Sequence, residues 1–119
     1  MKIAITSSGE TLDALMDPRF GRAPKFILYD TDSGQFESVD NDQNLNPSQG
    51  AGIQSAQTVA RLCAEAVISG NCGPKAFKAL TAAGIKVIVG TEGTVAQAIE
   101  QFKAGELHPT ESSNVDGHW

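Results

Sequence analysis

Short apolar runs along the chain alternate with polar segments at the spacing of strands and helices. Residues 2–6, 25–30 and 35–40 are rich in β-branched or aromatic side chains, and the third run alternates with a period of two. Residues 31–34, Thr-Asp-Ser-Gly, form a turn signal between the second and third runs. The pattern therefore predicts one strand followed by a β-hairpin.

Helical spacing of apolar positions predicts three helices in the rest of the chain. They cover about residues 50–64, 74–83 and 94–104, and a proline or a glycine marks most of their ends. Two short apolar runs, residues 66–69 and 85–89, separate the helices and are typical of buried strands.

The order of these elements predicts an α/β fold. Strands that alternate with helices pair in parallel through right-handed crossovers. We expect a mixed five-stranded sheet in which strands 1, 4 and 5 are parallel and the antiparallel hairpin of strands 2 and 3 extends it, with helices on its faces. Residues 1–105 would form one domain, and residues 106–119 a polar C-terminal tail or loose cap.

Composition excludes several classes of protein. The 119 residues suffice for one domain, with 40% apolar and 19% charged residues and a net charge of −5. This balance argues against a general nucleic-acid binder, which needs a basic surface. No apolar run approaches the roughly 20 residues of a membrane span. Two cysteines give no disulfide framework, and we expect a cytoplasmic protein with reduced thiols.

Three loops follow the parallel strands, at residues 7–24, 70–74 and 90–93. Ligands of open α/β sheets bind beyond the carboxyl ends of such strands, so these loops should meet at the functional site. We expect the start of the first helix, at residues 50–52, to lie at the opposite edge of the sheet or near the hairpin.

The loop at residues 70–74 and the lysine after it contain the first candidate residues. Asn71, Cys72, Gly73, Pro74 and Lys75 open the second helix, where N–H groups and a lysine favour an anion. At a helix N-terminus Cys72 should have a lowered pKa and serve as a metal ligand or nucleophile. The alternative is a plain connection between a strand and a helix. The segment lacks the spacing of a P-loop.

The long loop at residues 7–24 contains the second group of candidates. Arg19, Phe20, Gly21 and Arg22 place two guanidinium groups around a Phe-Gly pair, which could clamp an anion or the carboxylates of a partner. The alternative is ordinary anchoring of the loop by salt bridges, with Phe20 packed down.

Other possible metal ligands carry a weaker signal. Cys63 occupies the apolar face of the first predicted helix and is expected to be a buried small hydrophobic residue. Met16 and His108 are weak candidates for metal ligation, since packing is the common role of a methionine and exposure that of a histidine in a tail. His118 is likewise expected to be exposed.

Four segments together resemble the dinitrogenase iron–molybdenum cofactor biosynthesis family. They are Asp-Pro-Arg-Phe-Gly-Arg-Ala-Pro-Lys-Phe at 17–26, Gly-Ala-Gly-Ile-Gln-Ser-Ala-Gln at 50–57, Gly-Asn-Cys-Gly-Pro-Lys-Ala-Phe at 70–77 and Ala-Ala-Gly-Ile-Lys-Val at 82–87. The resemblance implies a ribonuclease-H-like fold without nuclease activity. It also implies non-covalent binding or carriage of metal–sulfur clusters, and the short chain looks like a stand-alone member of the orange-protein type.

The cargo that this resemblance implies is a molybdenum–copper sulfide cluster, or alternatively an iron–molybdenum cofactor or its precursor. Such an anionic cluster carries its own sulfides, so it needs N–H donors, a few cations and apolar walls rather than a cage of cysteines. We therefore expect a non-enzymatic protein. The resemblance also leaves open a regulatory module that docks ATPase partner proteins. A hydrolase using Cys72 is disfavoured because both histidines lie in the tail.

Overall fold

The computed structural model of the chain describes residues 1–41 and 51–111. Its elements follow the predicted order. The strands are β1 Lys2–Ser7, β2 Lys25–Asp30, β3 Phe36–Asp40, β4 Ala66–Ile68 and β5 Lys86–Ile88. The helices are α1 Ala51–Arg61, α2 Pro74–Ala82 and α3 Val95–Lys103, with a short 3₁₀ helix at Phe20–Arg22.

The five strands form one mixed sheet in the order β3-β2-β1-β4-β5, which confirms the predicted fold class. β1 is parallel to β4, and β4 is parallel to β5. β2 is antiparallel to both β1 and β3. The three parallel strands therefore end at one edge of the sheet, which we call the carboxyl edge.

Helices cover the two faces of the sheet, and each face has its own hydrophobic core. α1 and α2 pack over Ala4, Phe26 and Leu28. α3 packs over the side chains that alternate with these, including Ile3 and Ile5. Because β1 is buried on both faces, its apolar run is nearly continuous, as in parallel sheets in general.

Local signals set most of the helix ends. Thr94 accepts a hydrogen bond from the Gln97 backbone N–H, and the Gln97 side chain accepts one from the Thr94 N–H, which forms a capping box at the start of α3. Gly84 and Gly105 follow α2 and α3 with φ angles of 79° and 78°, the left-handed conformation typical of a helix end.

The end of α1 corrects the interpretation of Cys63. The helix ends at Arg61, and Cys63 follows it with a φ of 60° and an exposed side chain. The predicted position on a buried helix face is therefore wrong. The chain leaves the helix because Ala64 must turn back toward β4, where Glu65 donates its N–H to the Lys2 carbonyl over 2.8 Å.

The start of α1 lies on the same side as the ends of the parallel strands. β3 ends at Asp40, which pairs with Lys25, and Lys25 pairs in turn with Ser7 at the end of β1. The Asn41 amide then donates to the Ser55 hydroxyl of α1. The predicted position of the α1 start at the opposite edge is therefore wrong. The alternative position near the hairpin is correct, at the end of the hairpin away from its turn.

Residues after α3 cover the free edge of β5. Leu107 packs on the core beneath α3, and the Thr110 N–H donates to the Val87 carbonyl over 2.7 Å. The division into a domain of residues 1–105 and a tail stays a prediction. Residues 42–50 and 112–119, which include Gly50 and His118, lie outside the described residues. No helix in the described part of the chain is long and apolar enough to cross a membrane.

Candidate functional site

Two of the predicted loops are joined by hydrogen bonds at the carboxyl edge. Arg19 and Asn71 face each other in a parallel β-bridge. The Phe20 N–H donates to the Asn71 carbonyl over 3.1 Å, and the Asn71 amide donates to the Pro18 carbonyl over 3.0 Å. The two groups of candidates, 49 or more residues apart along the chain, therefore form one structural unit.

The third loop joins the same unit. The Gly90 N–H donates to the Gly70 carbonyl over 2.9 Å, and the Met16 N–H donates to the Gly93 carbonyl over 2.8 Å. All three loops thus meet where the parallel strands end, as the sequence predicts.

Phe20 anchors the first loop in the core beneath α1 and α2. Its side chain is fully buried, and its ring centroid lies 5.7 Å from that of Phe26. Gly21 is buried as well. Phe20 therefore packs down, as the anchoring alternative predicted, and it forms no exposed apolar wall. Its neighbours Arg19 and Arg22 remain at the surface, exposed and half-buried respectively.

The charge of Arg19 is partly balanced by the buried Asp17. The Asp17 carboxylate accepts the Arg19 backbone N–H at 2.8 Å and lies 3.5 Å from the Arg19 Nε. Arg22 and Lys75 form no ion pair within the described residues. They are therefore the cations of this surface that are not neutralised by a neighbouring carboxylate.

The N-terminus of α2 adds backbone donors to this surface. Gly73 is the N-cap residue, and no side chain among the described residues caps the first turn, which begins with Pro74. The first N–H groups of a helix lack intrahelical acceptors and carry partial positive charge. Gly73 is buried, whereas Pro74 and Lys75 are exposed.

Cys72 does not belong to the exposed part of the site. Its side chain is fully buried in the core beneath α1 and α2. This burial raises the pKa of the Cys72 thiol to about 12. The predicted lowering of the pKa is therefore wrong, because the thiol is withdrawn from water although its backbone stands next to the helix start. The Cys72 Sγ lies 3.7 Å from the Gly73 carbonyl oxygen.

Thiol labelling should separate the two cysteines of the folded protein. At pH 8 we expect iodoacetamide to modify exposed Cys63 readily. Cys72 should react far more slowly, because its thiol is buried and a pKa of about 12 leaves almost no thiolate at pH 8. Intact mass and peptide mapping measure the two rates. If Cys72 instead reacts as fast as Cys63, and still does so in a Cys63→Ser variant, Cys72 is accessible to the reagent.

The same burial predicts a dependence of stability on alkaline pH. Since the folded-state pKa of Cys72 exceeds its unfolded value, only the unfolded chain loses this proton between about pH 9 and pH 12. The thiol's contribution therefore falls as pH rises, by up to about 1.4 kcal/mol per pH unit. Urea unfolding of the native protein and of Cys72→Ala at pH 8 and pH 10.5 measures it. The difference in the free energy of unfolding between the two proteins should be smaller at pH 10.5 than at pH 8. An equal difference at both pH values would contradict the raised pKa of Cys72.

The remaining metal-ligand candidates do not join this surface. Met16 is buried among Ile3, Ile5 and Val95 of the α3 core, which is the packing role. His108 is exposed beyond the end of α3, and this end lies opposite the helix start at the carboxyl edge. Within the described residues, no three His, Cys, Asp or Glu side chains are grouped to hold a metal ion.

Buried hydroxyl groups beneath the loops were missed by sequence reasoning. The Thr6 hydroxyl donates to the Asp17 carbonyl over 2.7 Å and lies 3.3 Å from the Ser69 hydroxyl. Thr91, in the third loop, is buried, and its hydroxyl has no hydrogen-bond partner among the described residues. The sequence signal that indicates them is a Ser or Thr at or just after the end of an otherwise apolar strand.

Two exposed apolar side chains at the carboxyl edge were also missed. Leu15 is 63% exposed beside Thr94, with which it forms a β-bridge. Ile53 lies in the first turn of α1 and is 37% exposed. The exposed apolar side chains at this edge therefore include Leu15 and Ile53, and not buried Phe20.

This donor set fits one kind of metal centre and not another. A bare metal ion would need several side-chain ligands, and the described residues at this edge do not provide them. A preassembled anionic cluster that brings its own sulfide ligands needs hydrogen-bond donors and cations. The α2 N-terminus, Arg22 and Lys75 provide both.

Comparison with known proteins agrees with this architecture. The chain is 45% identical to the orange protein of Desulfovibrio gigas, whose apo form has been solved, with 96% of each chain covered and a TM-score of 0.92. It is 34% identical to a putative NifB protein from Thermotoga, with 98% of each chain covered and a TM-score of 0.78. An uncharacterised protein of Methanocaldococcus jannaschii is 30% identical over 93% of this chain and 92% of its own length.

The family assignment rests on most of the chain. Residues 1–105 match the family described as dinitrogenase iron-molybdenum cofactor, and this range contains all three loops of the carboxyl edge. The four segments that carry the resemblance in the sequence lie within the same range. The chain therefore belongs to the dinitrogenase iron-molybdenum cofactor family.

Proposed function

We propose that this protein is a non-enzymatic carrier that binds a preassembled, anionic metal–sulfur cluster at the carboxyl edge of its sheet. The observation that supports it is the union of the Arg19–Arg22 segment and the α2 N-terminus through the Phe20–Asn71 hydrogen bond. In our proposal the cargo is a molybdenum–copper sulfide cluster, or alternatively an iron–molybdenum cofactor or precursor.

The charge of the cargo follows from the donors. Arg22, Lys75 and the first-turn N–H groups of α2 attract negative charge, and Leu15 and Ile53 offer apolar contact at the same edge. In a protein of net charge −5, this attraction has to be local. Cys72 takes no part in ligation in this proposal, because its thiol is buried and stays protonated at neutral pH.

A spectroscopic titration tests the proposal. The metal-free protein is titrated anaerobically with tetrathiomolybdate and copper(I), and the visible spectrum is recorded against the same mixture without protein. We expect a charge-transfer band above that of the free mixture, with one saturable site. A spectrum identical to that of the free mixture would overturn the proposal.

Variants locate the site in the same titration. Arg22→Gln and Lys75→Gln should each weaken uptake, whereas Lys78→Gln, one turn further along α2, should bind like the native protein. Cys72→Ala should retain uptake. Equal loss in Lys75→Gln and Lys78→Gln would assign binding to net charge rather than to this surface.

A regulatory module that docks ATPase partners is the second candidate function. The exposed Leu15 side chain, in the first loop beside Thr94, favours it, since an exposed leucine suits a protein contact. Affinity capture from native extract discriminates the two. Capture of an ATPase that is unchanged by metal and lost in Leu15→Ser, together with no cluster uptake, would favour the module.

A further inference from the structure

The two edge strands of the sheet, β3 and β5, differ in whether another segment of the described residues covers them. At one edge, β5 is covered by the chain itself, through the hydrogen bond from Thr110 to Val87. At the other edge, β3 pairs only with β2 among the described residues. An uncovered edge strand is a template for pairing with another strand.

Hydrogen bonds at the two ends of the hairpin show which groups of β3 face outward. The Asn41 N–H donates to the Pro24 carbonyl, and the Asp30 N–H donates to the Gln35 carbonyl. The backbone N–H and C=O groups of odd-numbered residues in β3 therefore point toward β2. Hydrogen-bonding groups alternate along an antiparallel strand. The N–H and C=O groups of Phe36, Ser38 and Asp40 therefore point to the open side.

The hairpin around this edge is strongly acidic. Residues 30–40 contain four Asp or Glu residues and no Lys or Arg. Asp40 forms an ion pair with Lys25, and Asp30 and Asp32 lie near the N-terminal ammonium of Met1. Glu37 forms no ion pair within the described residues, and its side chain is exposed.

A cleft of about 240 Å³ opens on the hairpin next to this strand. Its lining residues come from β1, β2, β3 and the turn between β2 and β3, and are Lys2, Leu28, Asp30, Ser33, Gln35, Phe36 and Glu37. Glu37 lies opposite Leu28, on the face covered by α1 and α2, and its exposed carboxylate can accept a cationic side chain there. Lys2 and Asp30 come from the neighbouring strands β1 and β2.

We propose that the β3 edge binds an extended, basic segment of a partner protein as a sixth strand of the sheet. Backbone hydrogen bonds to Phe36, Ser38 and Asp40 supply the affinity common to strand addition. A Lys or Arg opposite Glu37 lies about 5 Å away between Cβ atoms, within reach of its carboxylate.

Charge argues against a second copy of this chain as the occupant. In an antiparallel pairing centred on Ser38, the two Glu37 residues become diagonal neighbours about 7–8 Å apart on one face. Asp40 of each copy would lie opposite Phe36 of the other, with no cation supplied. The acidic side chains therefore disfavour self-pairing and favour a basic strand.

Peptide titration tests this surface independently of any cluster, with the metal-free protein. The probe is an eight-residue peptide, blocked at both ends, in which lysine or arginine alternates with valine or threonine. A matched peptide carries glutamate at the basic positions. Backbone amide shifts and hydrogen exchange are followed by NMR. We expect the basic peptide to slow exchange at Phe36, Ser38 and Asp40 by at least about tenfold while Glu37 and Val39 change little.

Two variants and a control make the test decisive. Glu37→Gln should weaken binding about two- to fivefold, the size of one exposed ion pair, and Glu100→Gln on α3 should not. Ser38→Pro removes an outward N–H but none that faces β2, so it should abolish binding while the rest of the spectrum is retained. Equal binding of the acidic peptide, protection at other residues, or self-association that protects the same amides without peptide would each overturn the proposal.

Discussion

Replacing Phe20 by alanine is expected to lower the free energy of unfolding by about 3–5 kcal/mol, the usual cost of removing a fully buried phenylalanine. The Phe20 side chain has no exposed surface and packs against Phe26 beneath α1 and α2. Denaturant unfolding measures the loss. Because total stabilities of such domains are about 5–15 kcal/mol, the variant should still fold at low temperature.

The same substitution at Phe36 provides the matched control. Phe36 is 43% exposed on the edge strand β3, so Phe36→Ala should cost less than about 1 kcal/mol. Phe20→Leu, which keeps most of the volume, should cost less than about 1.5 kcal/mol. A similar loss for Phe20→Ala and Phe36→Ala would contradict the placement of Phe20 in the core.

Phe20→Ala should also weaken cluster uptake under conditions where the variant is folded. The ring holds the 3₁₀ helix that carries Arg22, and the Phe20 backbone N–H donates to the Asn71 carbonyl. Without the ring, this segment loses its anchor and the cations lose their fixed positions. Cluster uptake equal to that of the native protein would show that the binding surface does not depend on the Phe20 ring.

Replacing Gly70 by alanine is expected to separate the two loops that build the candidate site. A Cβ at position 70 would lie 2.9 Å from the Pro18 Cα and 3.0 Å from the Pro18 carbonyl oxygen. Both are backbone atoms, so no side chain can rotate away. We expect a loss of about 1–3 kcal/mol, the cost of overpacking, measured by denaturant unfolding.

Amide exchange gives this prediction a local readout. Exchange at Phe20, whose N–H is bonded to the Asn71 carbonyl, should accelerate in Gly70→Ala more than exchange in β1. Gly84→Ala is the control, since Gly84 has a φ of 79° but nothing within 4 Å of an added Cβ. It should cost about 1–2 kcal/mol from backbone strain alone and leave Phe20 exchange unchanged relative to β1. Unchanged exchange in both variants would show that the loops are not in tight contact.

Much of the fold could be predicted because its signals are local. The composition of residues 25–30 predicted β2 with its observed bounds, and the glycines after α2 and α3 marked where those helices end. Alternation of strands and helices then determined which strands are parallel, because short right-handed crossovers leave few other arrangements. The meeting of the three loops followed from the same rule.

The candidate site could be predicted only in part. The meeting of the loops that contain Arg19 and Asn71 was inferred correctly, since loops after parallel strands must meet at one edge, whereas binding by Arg19, Arg22 and Lys75 stays a prediction. The two cysteines were assigned the wrong environments. Periodicity continued the helix past Arg61 although the chain turns out of it there, and proximity to a helix start gave no information on how deeply Cys72 is buried.

The sequence by itself determined the order of the elements, the direction of the strands and the family to which the chain belongs, because all three depend on neighbouring residues and ordered motifs. Only the tertiary structure decided the exposure of individual side chains. Burial of Cys72 and Phe20 and exposure of Cys63 and Leu15 arise from how segments distant in sequence pack. The same holds for the edge of β3, which no strand covers among residues 1–41 and 51–111. Exposure in turn sets charge and reactivity, so the chemistry of this site depends on contacts that no local pattern contains.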